Sequence, residues 1–152
     1  MLSEKLLAER FVVVCSPRLA RGKLPKRPAD LARYPLLRSN DEFWKPVFAA
    51  AGLDWPEPDR GPIFNDSAHM LQAAIEGQGV ALARTSLLGD DVRNGLLVRL
   101  FGIEVPSDRQ YYFVYPARLA NAPKIALFGA WLRAESVSRK AAATRKSARG
   151  SA

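Results

Sequence analysis

Ser67 is the residue whose type and position most directly suggest chemistry. It follows an apolar pair, Ile63-Phe64, that is typical of a short strand, and with Asp66 it stands where a helix is predicted to begin. Unpaired N–H groups at a helix N-terminus, together with a hydroxyl, can hold a carboxylate. The simpler role for Ser67 is N-capping of the helix, and one hydroxyl can serve both purposes.

A second set of candidates follows the short strand predicted at Leu36-Leu37, and it comprises Arg38, Ser39 and Trp44. Doubly wound sheets bind their ligands beyond the carboxyl ends of strands, which is where these residues are expected. Arg38 could pair with an acidic ligand through two hydrogen bonds, or it could be a solvated surface arginine. Packing in the core is the better explanation of Trp44.

The residue types that most enzymes and metal sites require are scarce. The chain has one histidine, His69, and one cysteine, Cys15, which excludes an internal disulfide and a zinc site of the Cys/His type. His69 has no evident partner for a Ser/His/Asp triad, and no Gly-x-Ser-x-Gly motif occurs. Gly77 and Gly79 follow a helix and precede a strand, the reverse of a dinucleotide-binding loop. The sequence therefore predicts no enzymatic activity, no metal and no cofactor.

Positive charge is concentrated near the C-terminus. The 152 residues include 23 Lys and Arg against 15 Asp and Glu, a net charge of +8. Residues 136–152 contain five of the basic residues and no acid, so the rest of the chain is close to neutral. With Val137 as its one large apolar residue, this segment is predicted to be a disordered basic tail. It could bind nucleic acid non-specifically.

Residues 1–135 alternate short apolar runs with helical patterns, which is typical of an α/β fold. The predicted strands include residues 11–15, 80–83, 96–101 and 111–115, and helices are predicted to begin near Trp44, Ser67, Thr85 and Pro123. No apolar run is long enough to span a membrane, and the N-terminal segment carries acids where a secretion signal would have a basic start and an apolar core. We expect a cytoplasmic, globular protein.

The chain resembles the effector-binding domain, also called the substrate-binding domain, of LysR-type transcriptional regulators. The similar group includes the glycine-cleavage and β-lactamase regulators. The resemblance covers about residues 11–135 in the family's order, and residues 65–84 are its most specific part. It rests on the segments VVVCSPRLA, PADLARYPLLR, NDSAHMLQAAIEGQGVALAR, LLGDDVRNGLLVRLF, YYFVYP and KIALFGAWLRAE.

The resemblance implies a type 2 periplasmic-binding-protein-like fold, in which two α/β lobes are joined by crossover strands and hold an effector in a cleft. Residues 15–108 would form a complete second lobe. Residues 1–14 and 109–135 would supply the crossover strands and a partial first lobe, followed by the 136–152 tail. The family's helix-turn-helix and linker helix have no counterpart ahead of Met1. We therefore expect part of a regulator, arising from a truncated gene, a misplaced start codon or an excised fragment.

The resemblance also implies site residues and partners. It places Ser67 at the effector cleft, together with Tyr111, or Tyr112 if the register differs by one residue; a core position is the alternative for Tyr111. The implied effector is a small metabolite such as an amino acid or an organic acid. The candidate effector-binding residues are Arg38, Ser39, Trp44, Asn65, Ser67, Tyr111 and Tyr112.

The implied assembly is a homo-oligomer, or a complex with a full-length regulator, in which the helix at residues 67–77 packs near the first lobe of its partner. Ile125, Phe128 and Leu132 should be exposed unless a partner covers them. DNA would be bound through the family's N-terminal domain, or weakly through the basic tail, and no membrane is involved. The alternative functions are a solute-binding protein of transport type and a non-specific nucleic-acid-binding protein.

Overall fold

The structure is a computed structural model that describes the backbone of residues 1–147 and the side chains of residues 1–138. It divides into a larger unit, Glu9–Ser107, and a smaller unit formed by Met1–Ala8 and the chain from Asp108 onward. The helices are α1 (Lys45–Ala50), α2 (Ser67–Ile75) and α3 (Pro123–Ser147). The strands are β1 (Leu2–Leu7), β2 (Arg10–Cys15), β3 (Arg38–Ser39), β4 (Ile63–Phe64), β5 (Ala81–Arg84), β6 (Val98–Pro106) and β7 (Tyr111–Tyr115).

The larger unit is built on a mixed sheet. Strand β2 lies between β5 and β6 and is antiparallel to both. Strands β3 and β4 pair in parallel, and a parallel bridge between Leu36 and Val80 joins them to the start of β5. Consequently β3, β4 and β5 run in the same direction, and their carboxyl ends lie at the same edge of the sheet.

Apolar residues cover both faces of this sheet, as the continuous apolar run at residues 11–15 predicts. Val12 and Val14 face one core, which also contains Met70 and Leu71 of α2. Alternate residues of β2 face the other core, where the α1 region contributes Trp44 and Phe48. The two helices therefore pack on opposite faces of the sheet, in the α/β arrangement that the sequence predicts.

Gly79 allows the turn after α2 to approach the segment that leads into β3. The Val80 N–H donates to the Pro35 carbonyl at 2.9 Å. A Cβ atom at Gly79 would lie 2.6 Å from the same carbonyl oxygen, which no side chain tolerates without movement of the backbone. The glycine is thus required by close packing between backbones.

Two predicted elements of the larger unit differ in the structure. The helix predicted to begin near Thr85 is a series of turns, because the Thr85 and Ser86 hydroxyls bond to Glu9 instead of capping a helix. Strand β6 also runs further than predicted, to Pro106. It contains a bulge at Phe101 and Gly102, where both φ angles are positive and the register against β2 shifts.

The larger unit comprises Glu9–Ser107, and the second lobe that the resemblance implied, residues 15–108, stays a prediction. Residues 11–14, expected at a crossover, belong to β2, the central strand of its three-stranded antiparallel sheet. The unit begins at Glu9 and ends at Ser107, where the Ser107 N–H donates to the Glu9 carbonyl at 3.0 Å.

The smaller unit pairs β1 with β7 in an antiparallel ribbon, against which α3 packs. The Phe113 and Phe128 rings meet edge to face at 5.8 Å, and Arg133 pairs with Glu4 at 2.8 Å. Sequence patterns did not indicate β1, because LSEKLL lacks the residue types that favour strands. Its pairing with β7 decides its conformation.

Helix α3 continues to Ser147, which corrects the expectation of disorder over residues 136–147. The segment is rich in Ala, Arg and Lys, and these residues favour helix even where few apolar side chains are present. The remainder of the predicted tail, residues 148–152, lies outside the described residues.

The smaller unit exposes apolar side chains along α3. Phe128 and Trp131 are about half exposed and Leu127 is 73% exposed, while Ile125 and Leu132 are half-buried. The exposure predicted for Phe128 is therefore present, whereas Ile125 and Leu132 are partly covered. No described helix has the length and hydropathy that crossing a membrane would require.

Candidate functional site

The carboxyl ends of the three parallel strands bring polar residues together around one buried carboxylate, that of Glu42. Ser39 ends β3, Ser67 follows β4, and Arg84 ends β5. These residues are separated by up to 45 positions in sequence, and the parallel alignment of the strands brings them to one place. Open α/β sheets bind ligands beyond this edge.

Glu42 is 1% exposed and accepts three hydrogen bonds. Its Oε1 atom accepts from Ser67 Oγ at 2.5 Å and from Arg84 Nε at 2.7 Å, and its Oε2 atom accepts from Ser39 Oγ. The Arg84 side chain is 12% exposed, so the ion pair is largely shielded from water. A buried carboxylate is stabilised in this way by an opposite charge and by donors at both of its oxygens.

Local hydrogen bonds hold the two serines in place. Ser39 Oγ accepts from the backbone N–H groups of Asp41 and Glu42, at 3.0 and 3.3 Å, and so turns the chain after β3. Helix α2 begins after Asp66, whose carboxylate accepts from the His69 N–H at 3.0 Å. The hydrogen bond from His69 is the main reason that the pKa of Asp66 lies below its ordinary value. Asp66 is therefore the N-cap, one of the two possibilities that the sequence left open.

The remaining candidates of the larger unit lie in different surroundings. Trp44 is fully buried, and its indole N–H donates to the Leu37 carbonyl at 2.9 Å. It packs in the core, which corrects its inclusion among the effector-binding residues. Arg38 is half-buried and makes one long hydrogen bond, 3.4 Å to the Pro58 carbonyl. Asn65 is exposed between β4 and the cap residue Asp66.

Tyr111 and Tyr112 lie in the smaller unit, on β7. They are 40% and 53% exposed, opposite Leu7 and Lys5 of β1. Neither is a core tyrosine, so the alternative to ligand binding that the sequence offered for Tyr111 does not apply.

Sequence reasoning missed Glu42 and Arg84. The helix predicted to begin near Trp44 is α1, which begins at Lys45 without a side-chain cap from its N-cap residue, Trp44. Glu57 instead accepts the N–H groups of Trp44 and Lys45, both at 2.8 Å. The available signal was a charged residue near the end of a short strand: Arg84 is the last residue of β5, and Glu42 follows β3. That signal is weak, because charged residues near strand ends are commonly solvated.

The arrangement offers hydrogen-bonding groups and charge. No cluster of three or more His, Cys, Asp or Glu side chains in that part of the chain could hold a metal ion. Cys15 is buried in β2, and desolvation raises the pKa of its thiol to about 11. A thiol of this kind is a poor nucleophile at neutral pH.

Comparison with known proteins gives consistent results. Residues 1–136 match the family model described as the LysR substrate binding domain. The chain is 40% identical over 134 residues to the glycine cleavage system transcriptional activator of Escherichia coli K12, covering 87% of this chain and 44% of the relative. It is 35% identical over 124 residues to the transcriptional activator AmpR of Rhodobacter capsulatus, covering 81% of this chain and 42% of that protein.

Solved structures show the same fold. The effector domain of AmpR from Pseudomonas aeruginosa matches 90% of this chain with a TM-score of 0.75 and 31% identity. The AmpR effector-binding domain from Citrobacter freundii matches 90% with a TM-score of 0.76 and 26% identity. The chain covers 66% and 68% of those two structures.

These matches confirm the α/β, type 2 periplasmic-binding-protein-like fold that the resemblance implied. The curated relatives named above are transcriptional activators, and the chain spans less than half of their length. By the match of its residues 1–136, this chain belongs to the family of LysR substrate-binding domains.

Proposed function

We propose that this chain is the effector-sensing part of a LysR-type transcriptional regulator in the cytoplasm, and that Ser67 is a ligand for a small metabolite. The observation that carries the proposal is the convergence of Ser39, Ser67 and Arg84 on Glu42 at the carboxyl ends of three parallel strands. This edge of a doubly wound sheet is where polar groups from several loops meet and where ligands bind.

The accessibility of the surrounding groups supports the proposal. Ser67 and Arg38 are half-buried and Asn65 is exposed, so each has surface that a small molecule can contact. Arg38 has five N–H donors, and within the part of the chain that the structure describes one is used, in a long bond to the Pro58 carbonyl. Tyr111 and Tyr112 belong to the other unit, and their role in ligand binding stays a prediction.

A thermal-shift screen of the whole chain with amino acids and small organic acids tests the function. A ligand present at a hundredfold excess over its Kd adds about 2.7 kcal/mol of stability, which for a chain of this size raises Tm by about 5–10 °C. Ser67→Ala should remove most of that rise. Absence of any stabilising compound in either class would contradict effector binding.

Ser86→Ala is a matched control. Ser86, like Ser67, is half-buried and donates its hydroxyl hydrogen to a buried glutamate, in this case Glu9. Both substitutions should therefore lower the intrinsic Tm to a similar extent. Only Ser67→Ala should also reduce the rise in Tm that the ligand causes. If both variants reduced that rise equally, Ser67 would affect binding only through the stability of the fold.

We also propose that the chain associates with a second copy, or with a full-length regulator, through α2. A groove of about 270 Å³ runs beside this helix between Leu71 and Ile75 on one side and Leu87 and Leu96 on the other. Leu87 and Leu96 are 39% and 43% exposed, which is unfavourable in water. Leu96→Lys should shift a dimer to monomer in sedimentation velocity, and a native chain that stays monomeric at high concentration would contradict the proposal.

The other functions considered from the sequence have less support. The relatives named above are activators of transcription rather than enzymes or transport proteins. DNA binding belongs, in this proposal, to the remainder of a full-length regulator.

A further inference from the structure

We propose that Glu42 is a positioning residue that makes Ser67 a hydrogen-bond acceptor, so that the site selects a ligand presenting an ammonium or amide N–H group to Ser67. The inference rests on the proposed function, since it assumes that the effector contacts Ser67. It narrows the chemistry of that effector and assigns a role to a residue with no side-chain exposure.

The hydroxyl hydrogen of Ser67 is directed toward the protein interior. A carboxylate can only accept hydrogen bonds, so in the 2.5 Å contact between Ser67 Oγ and Glu42 Oε1 the serine is the donor. The same oxygen accepts from Arg84 Nε at 2.7 Å, which holds the carboxylate in place. The only hydrogen of the Ser67 hydroxyl is thereby used.

Ser39 shows what a fully used hydroxyl in the same cluster looks like. It donates to Glu42 Oε2 and accepts from the N–H groups of Asp41 and Glu42. One donated and two accepted bonds complete the capacity of a hydroxyl group. Ser39 is therefore a structural residue in this arrangement, and its side chain has no bond left for a ligand.

Ser67 differs from Ser39 because its acceptor capacity is unused by its neighbours. Among residues 1–138, whose side chains the structure describes, no donor bonds to Ser67 Oγ. Ser67 is half-buried and lies at the first turn of α2, so the residue keeps surface that a small molecule can contact. A ligand atom bound there must bring its own hydrogen.

The charge beside Ser67 favours the same kind of ligand. The Asp66 side chain is 53% exposed and already accepts the His69 N–H at the start of α2. A carboxylate ligand at this position would be repelled by the Asp66 carboxylate, whereas an ammonium group would be attracted to it. The structure thus favours the opposite polarity to the carboxylate that the sequence pattern suggested for Ser67.

The test compares two small probes of opposite polarity by NMR titration of the whole chain. Glycinamide carries an ammonium group and no carboxylate, and N-acetylglycine carries a carboxylate and no ammonium group. Glycinamide should produce saturable shifts in the backbone amide resonances of Ser67, Ala68 and His69, and N-acetylglycine should bind there at least about tenfold more weakly. Ser67→Ala should remove this preference, and Ser67→Thr, which keeps the hydroxyl, should retain it.

Variants of Glu42 separate positioning from stability. Glu42→Gln keeps an acceptor oxygen that can face both Arg84 and Ser67, so the preference for glycinamide should persist. Glu42→Leu releases the Ser67 hydroxyl hydrogen, which can then be donated to a ligand. The Kd of N-acetylglycine divided by that of glycinamide should therefore fall toward one. If Glu42→Leu fails to fold, Glu42→Leu with Arg84→Met removes both charges and should give the same ratio.

The outcomes distinguish failure of the inference from failure of the proposed function. Saturable binding of N-acetylglycine at Ser67, with weaker binding of glycinamide, would keep Ser67 as a ligand and overturn the inferred polarity. An unchanged ratio of Kd values after the leucine substitution would overturn the positioning role of Glu42. Binding of neither probe at these resonances would overturn the inference together with the ligand role of Ser67.

Discussion

Glu42→Ala should destabilise the larger unit by about 3–5 kcal/mol, because it removes one partner of a buried ion pair. The Arg84 guanidinium, whose side chain is 12% exposed, would lose the carboxylate that lies 2.7 Å from its Nε atom. The hydroxyls of Ser39 and Ser67 would lose an acceptor as well, but both residues are half-buried and water can replace part of that loss. The charge left behind is therefore the larger part of the cost.

A double-mutant cycle measures the interaction between the two charges. Arg84→Ala alone leaves the buried carboxylate with the two serine hydroxyls, and Glu42→Ala with Arg84→Ala removes both charges. The double variant should lose less stability than the two single losses combined, with a coupling energy near the upper end of the usual range of about 0.5–3 kcal/mol. Additive losses would show that the two side chains do not interact as described.

Urea unfolding followed by tryptophan fluorescence is a suitable assay. Trp44 is fully buried in the larger unit and stacks on Phe48 at 5.7 Å, so its emission should change when this unit unfolds. Trp131 is half exposed on α3 of the smaller unit, and a Trp131→Phe background removes its signal.

A surface ion pair provides the matched control for these measurements. Glu104 pairs with Arg99 at 2.5 Å and with Arg10 at 3.2 Å, and its side chain is 34% exposed. Glu104→Ala should therefore cost less than about 1 kcal/mol. If Glu42→Ala lowered the free energy of unfolding by as little as this, the conclusion that Glu42 and Arg84 form an ion pair shielded from water would be refuted.

Three further predictions follow from individual residues. Because burial raises the pKa of the Cys15 thiol to about 11, iodoacetamide should label Cys15 only after unfolding, and labelling of the native chain at the rate of a free thiol would contradict its burial. The pKa of Asp66 is held down chiefly by the His69 N–H, so its contribution to stability is complete at neutral pH and is lost as the pH falls through that lowered pKa. In Asp66→Asn, the free energy of unfolding measured with urea should fall less steeply as the pH is lowered. The same fall as in the native chain would count against Asp66 as the N-cap of α2. Any binding of the chain to duplex DNA should weaken as the salt concentration rises. Replacing the tail charges by alanine should make the slope of log K against log salt concentration shallower by about 0.9 for each phosphate that is no longer neutralised. Binding that survives these substitutions would point to residues 1–135. The tail charges are Arg139, Lys140, Arg145, Lys146 and Arg149.

Local sequence patterns predicted the elements whose conformation depends on near neighbours. Strand β2, the start of α2 at Asp66 or Ser67, and the turn at Gly77 and Gly79 are present as expected. Each follows from a rule that operates over a few residues, such as a β-branched run, a capping carboxylate or a glycine at positive φ. The resemblance to the LysR effector-binding domain, which the family match confirms, supplied the fold class that such local rules leave open.

Elements that depend on distant partners were not predicted. Strand β1 forms because β7 pairs with it, and the segment after Arg84 forms turns because Glu9, at the start of the larger unit, accepts its hydroxyls. Leu88 and Val92 pack against the core from these turns without the helix that their spacing suggested. In each case a tertiary interaction outweighed a weak local preference.

The candidate site divides in the same way. The sequence by itself determined that Ser67 stands at the start of a helix and that Ser39 lies at the end of a short extended segment, because both assignments depend on neighbouring residues. Only the tertiary structure decided that Trp44 is a core residue and that Glu42, a residue without a local signal, is the acceptor for Ser39, Ser67 and Arg84. The physical reason is that three short parallel strands must align before their carboxyl ends can place these groups around one buried charge.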